Sequence, residues 1–287
     1  MIAAACLKWV DQRPEATTVL SAEAPDGRFA GVSAADRAAL EWALRTRDSH
    51  RAAGRPGPSV VAVTVGPAGA EAVLRDALAS GADRAIRIDL PFGSPSRAEA
   101  MAIATALRHL VEGSSTIWCG DHSFDRGTGS VPAYLAGELG IAQALGLVGV
   151  DVAGGADGAV HALRRLDGGR REQLSIDGAA VLSVEGSTAV LRRAPLRSML
   201  SRTSVEVVAG EALAPSGSAG HPAESVTRPY RPRARTYAPP KGQTALERVK
   251  SLTAAGAAVA HGETVTLEPD AAADRILAAL TEWGYLR

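Results

Sequence analysis

STIWCGDHSFDRGTGSVPAYLAGELG, residues 115–140, passes from a short apolar run through a polar, glycine-rich loop into a helical pattern. A buried strand that opens in this way into a helix is the arrangement with which open α/β sheets bind phosphate. The first N–H groups of a helix have no partner within it, and the dipole places roughly half a positive charge there. Gly127 and Gly129 let the backbone approach an anion with no Cβ in the way. Thr128 and Ser130 add hydroxyls, Arg126 offers a charge-assisted contact, and Pro132 suits the first helical turn. The competing reading is a tight connection whose glycines serve only the turn. Neither GxxxxGK[ST] nor a GxGxxG after the first strand occurs, so spacing alone leads to a phosphate or nucleotide site and no further.

Working outward, the same strand–helix rhythm repeats on the N-terminal side. IAAACL (2–7) reads as a buried strand, and residues 11–32 as an excursion or hairpin. SAADRAALEWALRTRD (33–48) reads as a helix, opened by Ser33 and Asp36 in a capping-box-like start. SVVAVTVG (59–66) is a β-branched run, followed by a helix over 70–81 closed by Gly81. RAIRIDL (84–90) is the next strand, 96–113 the next helix, and TIWCG (116–120) the fourth strand. Strands alternating with helices at this spacing predict βαβ crossovers and a Rossmann-like, doubly wound, mostly parallel sheet.

Beyond residue 145 the rhythm changes. Runs 145–154, 159–169, 171–176 and 179–186 read as strands joined by glycine-rich turns, with DGG (167–169) as a hairpin signal. An antiparallel addition to the parallel sheet is expected there. The chain is expected to have three parts: an α/β nucleotide-binding domain over 1–208, a Pro/Gly/Arg-rich linker or arm over 209–243, and a helical segment over 244–287. Ile276, Leu277, Leu280 and Trp283 form an apolar stripe in the last of these, packing on this chain or on a partner.

With 31 basic and 31 acidic residues, no global field steers the chain toward nucleic acid or an anionic membrane. The two cysteines sit in apolar runs with no Cys/His cluster, which supports neither a disulfide framework nor a zinc site. A cytoplasmic location is the corresponding expectation. No run reaches the ~18 apolar residues of a membrane span, and membrane insertion is not expected. His122 beside Asp121 and Asp125 lacks a nucleophile at a recognised spacing, so loop hydrogen bonding is the simpler role. The basic, proline-rich stretch 228–241 fits an extended strap better than an RNA-binding segment.

Several segments in order carry a family resemblance: KWVD (8–11), SAADRAALEWALR (33–45), VTVGP (63–67), ALASGADRAIRID (77–89), FDRGTGSVPAYLAGELG (124–140) and RRLDGGRREQLSIDGAAVLSVEG (164–186). Together they resemble the β subunit of electron transfer flavoproteins over about residues 1–208. MIAAACLKWVD and GRFAGVSAADRAALEWAL further resemble the branch associated with mycofactocin, a peptide-derived redox cofactor. The resemblance implies a heterodimer with an α subunit that carries a redox-active FAD. It also implies electron shuttling from partner dehydrogenases toward a membrane-bound quinone reductase or another acceptor, without substrate turnover by this chain. Ordinary β subunits hold a structural AMP, whereas bifurcating ones hold a second FAD. A stand-alone adenine-nucleotide-binding module, similar to universal stress proteins, is the remaining alternative.

By motif, the resemblance puts nucleotide contacts at Cys6, at Ser33, Ala34, Ala35 and Asp36, and at Val65. It extends them along Gly120, Asp121, His122, Ser123, Phe124, Asp125, Arg126, Gly127, Thr128, Gly129, Ser130 and Val131. This chain departs from the family pattern at Ser33-Ala34, where Asn-Pro is common. It departs again at Asp125-Arg126-Gly127, where three consecutive acids are favoured. The partner-recognition signature is replaced by EGSTAVLRRAPLRSMLSR (185–202). There Leu196 stands at the family's anchor leucine, and Arg192, Arg193, Arg197 and Arg202 are expected to steer acidic partner surfaces.

Overall fold

The computed structural model describes residues 1–12, 27–125, 127–152, 159–201, 204–210, 239–240, 242–255 and 265–286. The chain divides into two units, Met1–Thr227 and Arg228–Arg287. In the first unit the chain order is β1 (Ile2–Cys6), β2 (Val10–Asp11), β3 (Ala30–Gly31), α1 (Ala34–Ala52), β4 (Ser59–Val65), α2 (Glu71–Ser80), β5 (Arg84–Asp89), α3 (Ser96–Leu107), β6 (Thr116–Gly120), α4 (Ser130–Leu139), β7 (Ala142–Asp151), β8 (Val160–Arg165), β9 (Arg171–Ile176), β10 (Ala180–Val184), α5 (Leu196–Leu200) and β11 (Glu206–Ala209).

A nine-stranded sheet runs in the order β11-β5-β4-β1-β6-β10-β7-β8-β9, with β2 and β3 forming a separate antiparallel pair. β1 lies parallel to β4 on one side and to β6 on the other. The chain therefore winds outward from β1 through β4 and β5, then jumps back across β1 to β6. This reversal is the topological switch point of a doubly wound sheet, where two neighbouring loops diverge to opposite faces and leave a crevice.

The two faces have separate cores, set by the two-residue period of the strands. Ala3, Ala5, Leu7 and Trp118 pack with α1 and α2 on one face. Ile2, Ala4, Cys6, Ile117 and Cys119 pack with α3 and α4 on the other. β1, β6 and β10 are buried at every position, as strands covered by layers on both faces must be. Trp42 of α1 stacks on Trp118 with ring centroids 6.2 Å apart, and Trp9 meets Phe92 edge-on. These three tryptophans are core residues.

The structure departs from the sequence expectation at three places. First, β10 is not part of the antiparallel addition. It lies parallel between β6 and β7, and only the β7–β8 and β8–β9 pairings are antiparallel. Its continuous apolar run AVLSV suits a doubly covered position, while REQLSI of β9 alternates exposed and half-buried residues and suits an edge. Second, α3 stops at Leu107 rather than Gly113. Ser115 organises the following turn, accepting from the Glu112 N–H at 3.1 Å and donating to its carbonyl at 2.7 Å. Third, residues 206–209, with no strong strand signal, form β11, which pairs in parallel with β5 and closes that edge.

In the second unit, α6 (Ala245–Ala255) starts in a capping box, with the Thr244 hydroxyl accepting from Glu247 N–H at 3.2 Å and the Glu247 carboxylate accepting from Thr244 N–H at 3.1 Å. α7 (Pro269–Glu282) leaves Ile276, Leu277 and, just beyond it, Trp283 exposed. Most of the expected arm over 209–243 lies outside the described residues.

Candidate nucleotide site

Three strand ends and three helix starts meet at the switch point. A cleft opens there, lined by Cys6, Leu7 and Lys8 after β1, Val63 and Val65 of β4, Asp36 of α1, Ser96, Glu99 and Ile103 of α3, and Cys119, Gly120, His122, Ser123, Thr128, Gly129, Val131 and Pro132 across the β6–α4 connection.

The β6–α4 loop shapes the cleft from its own main chain. Ser123 N–H donates to the Thr128 carbonyl at 2.6 Å, Gly127 N–H to the Ser123 carbonyl at 2.8 Å, and Thr128 N–H to the Ser123 hydroxyl at 3.2 Å. Gly127 turns the chain in the left-handed region at φ +65°. Gly129 is required for a different reason, because a Cβ there would lie 2.2 Å from the Asp121 carbonyl oxygen. Gly129 at the N-cap has no side chain to bond the leading N–H groups of α4, which among the described residues are left for a ligand or water. Gly120 is equally constrained: an added Cβ would stand 2.6 Å from Asp36 Oδ1 and 3.0 Å from the Ala35 Cβ.

Asp36 forms the floor. Ser33 caps α1 by accepting from Asp36 N–H at 3.0 Å, which turns the Asp36 carboxyl toward β1 and β6. Its Oδ2 accepts from Lys8 N–H at 3.0 Å. Burial pushes its pKa from 3.8 up to about 6, against the Lys8 N–H, the Ser33 hydroxyl, the Lys8 charge and the Gly120 N–H, which all favour the ionised form. Across the mouth, Lys8 Nζ pairs with Asp125 Oδ1 at 2.9 Å. His122 Nδ1 lies 2.7 Å from Asp121 Oδ1 at the exposed rim. Cys6 and Cys119 are buried on neighbouring strands, and hydrogen bonding to Cys6, with burial, drives the Cys119 thiol well above its ordinary range. A thiol held protonated in this way is a poor nucleophile.

Of the residues expected at a nucleotide, the cleft brings together Cys6, Asp36, Val65, Gly120, His122, Ser123, Thr128, Gly129 and Val131. Ser33 acts through the cap, and Ala35 packs beneath Gly120. Ala34 and Phe124 are exposed and do not line the cleft, nor do Asp121, Asp125, Gly127 and Ser130. Arg126 lies outside the described residues. Sequence reading missed Lys8 and the α3 contribution of Ser96 and Glu99. Lys8 was detectable as the first cation after a strand bordering the switch point. The α3 residues were not, since only folding brings that helix start beside β4.

The expected partner-binding residues lie on a different surface. Leu196 opens the short helix α5 and is 71% exposed, with Met199 and Leu200 also exposed. Arg193 and Arg197 are exposed, and Arg202 falls outside the described residues. Arg192, grouped with the steering charges, instead faces inward. Its guanidinium donates to Glu41 at 3.0 and 3.1 Å and to Asp48 at 2.7 Å, tying the 190s segment to α1.

Comparison with known proteins agrees with this architecture. The electron transfer flavoprotein domain model matches residues 24–211, a span running from β3 through β11. Protein FixA of Azorhizobium caulinodans is 33% identical over 181 residues, covering 60% of this chain and 61% of that protein. The electron transfer flavoprotein subunit beta of Mycobacterium tuberculosis is 38% identical over 119 residues, covering 41% and 44% respectively. Its namesake in Dictyostelium discoideum is 28% identical over 174 residues, covering 60% and 64%. The chain thus spans less than two thirds of the length of these relatives, from 44% to 64%. With more than half of its residues matched by that model, on a fold whose switch-point cleft is built as described, this chain belongs to the electron transfer flavoprotein family, beside the β subunits and FixA proteins.

Proposed function

We propose that this chain is the β-type subunit of a heterodimeric electron transfer flavoprotein and that its cleft holds AMP as a structural nucleotide. The observation that carries the reading is the cleft itself. Uncapped α4 amides, a loop whose two critical glycines leave no side chain over the backbone, and a lysine at the mouth converge on one switch point. The apolar wall of Val63, Val65 and Ile103 suits a base, and the amide-rich end suits a phosphate. These residues fit an adenylate. The FAD that supplies the redox chemistry belongs to the α subunit in this reading, and the chain described here positions and stabilises it without turning over a substrate.

Leu196, Arg193 and Arg197 then form the surface met by a partner dehydrogenase, with a mycofactocin-linked enzyme as the donor suggested by the sequence resemblance. Electrons leave toward a membrane-bound quinone reductase or another acceptor. The test is co-expression with an electron transfer flavoprotein α subunit, followed by release and mass identification of everything bound. One FAD and one AMP per heterodimer support the proposal. Two FAD molecules would replace it with a bifurcating subunit, and a monomer that ignores α would leave only a nucleotide-binding module.

A further inference from the structure

We infer that Lys8 is the phosphate-binding cation of the cleft and that Asp125 is its resting counter-ion, released when phosphate enters. This deepens the nucleotide reading above and rests on it.

Lys8 is fixed at one end. Its N–H donates to Asp36 Oδ2 at 3.0 Å, which anchors its backbone at the end of β1, on the switch point. Its side chain then crosses to Asp125 in the β6–α4 loop at 2.9 Å. The pair is only partly covered, with side-chain exposures of 25% and 18%. Lys8 lines the cleft and Asp125 does not.

The charge balance of the lining makes the role of Lys8 specific. Asp36 and Glu99 bring carboxylates to the cleft, and His122 sits at the rim. Among the described lining residues, Lys8 is the side chain with a full positive charge at neutral pH. A phosphate dianion bound at the α4 amides shares the cleft with these carboxylates, which makes the lysine charge the one available to offset it. The lysine head is a compact charge on a flexible stem with three donors, able to turn from a carboxylate to a nearby phosphate without backbone movement. Asp125 keeps that head extended toward the mouth, and it also competes with the ligand. A pair with a purely structural role, pinning the loop to β1, would behave differently.

The two roles separate by the sign of the effect. Labelled AMP and, separately, labelled adenosine are equilibrated by dialysis with the full-length chain, together with any subunit that co-purifies. Lys8→Met should weaken AMP about tenfold, the loss of one charge-assisted contact, and leave adenosine within about twofold. Asp125→Asn should strengthen AMP about threefold by removing the competing charge, again sparing adenosine. Equal weakening of both ligands by both variants would show a structural strap and overturn the inference, as would unchanged AMP binding in Lys8→Met. In both cases wild-type binding leaves the nucleotide reading standing. A wild-type protein that binds neither probe removes that reading and this inference with it.

Discussion

Asp36 should make this fold less stable as the solution becomes less acidic over the range where its carboxyl ionises. The side chain is 7% exposed, and burial raises its pKa from 3.8 to about 6. Between those values the folded chain holds a proton that the unfolded chain has released. Stability must therefore fall as pH rises from about 4 to 6, and above that range the folded state carries the ionised carboxylate at full cost. The difference corresponds to ~3 kcal/mol. We predict that Asp36→Asn removes this slope. The absolute stability of the variant is a poor readout, because an amide nitrogen would face one of the N–H donors that the carboxylate now satisfies, at a roughly constant cost of ~1–3 kcal/mol. The slope is the clean one. Urea unfolding of both proteins from pH 4 to pH 8, in phosphate-free buffer, should show the wild type losing ~2–2.5 kcal/mol relative to the variant across the interval, the rest of the difference lying below pH 4. A stability difference constant across that range would mean that Asp36 is ionised well below pH 6.

Further expectations concern the loop, the 190s segment and the partner surface. Gly127→Ala meets no atom within 4 Å and should cost only the left-handed backbone penalty of ~1–2 kcal/mol, whereas Gly129→Ala drives a Cβ into the Asp121 carbonyl and should cost more in the same denaturant titration. Gly129→Val consequently disrupts the loop itself, and its nucleotide content reports that collapse together with any blocked ligand. Arg192→Met should destabilise by ~1–3 kcal/mol, since Glu41 is buried. Burial raises the pKa of Glu41, but bonds from Arg192 and Arg45 outweigh it and hold it below the usual value. That stabilisation is present at neutral pH and lost as pH falls through the folded value, so Arg192→Met should also flatten the acid limb of the stability curve. Leu196→Ala, at a 71% exposed position, should change stability by less than ~0.5 kcal/mol. In stopped-flow reduction by a partner dehydrogenase it should slow the reaction while leaving the flavin spectrum intact, and equal rates would remove Leu196 from the partner surface.

The parallel sheet was legible because its strands are short apolar runs bounded by glycine, proline and caps, and each helix carries its own stripe and stop. Ser33 announced α1 as plainly in sequence as it caps it in space. The β6–α4 loop was legible for the same reason, as glycine spacing is a local property. β10 was misplaced because pairing direction is not local. AVLSV is compatible with an antiparallel neighbour or a parallel one until the layers on both faces are known. β11 was missed because four residues in a half-exposed edge strand carry little pattern. Arg192 looked like its exposed neighbours Arg193 and Arg197, and only Glu41 and Asp48, about 150 residues earlier, distinguish it.

What the residues determined by themselves was the alternation of strand and helix, the position of the glycine-built loop and the family to which the chain belongs. The first two depend on backbone preferences and side-chain periodicity within a few residues, and the family on the order of several motifs along the chain. Folding alone decided which strand ends meet, and so placed Lys8, Asp36, Ser96 and Glu99 around the same cleft. It also decided the charge state of Asp36, because a carboxyl's acidity depends on the water it loses and the donors it meets, and both are set by chain segments far away in sequence.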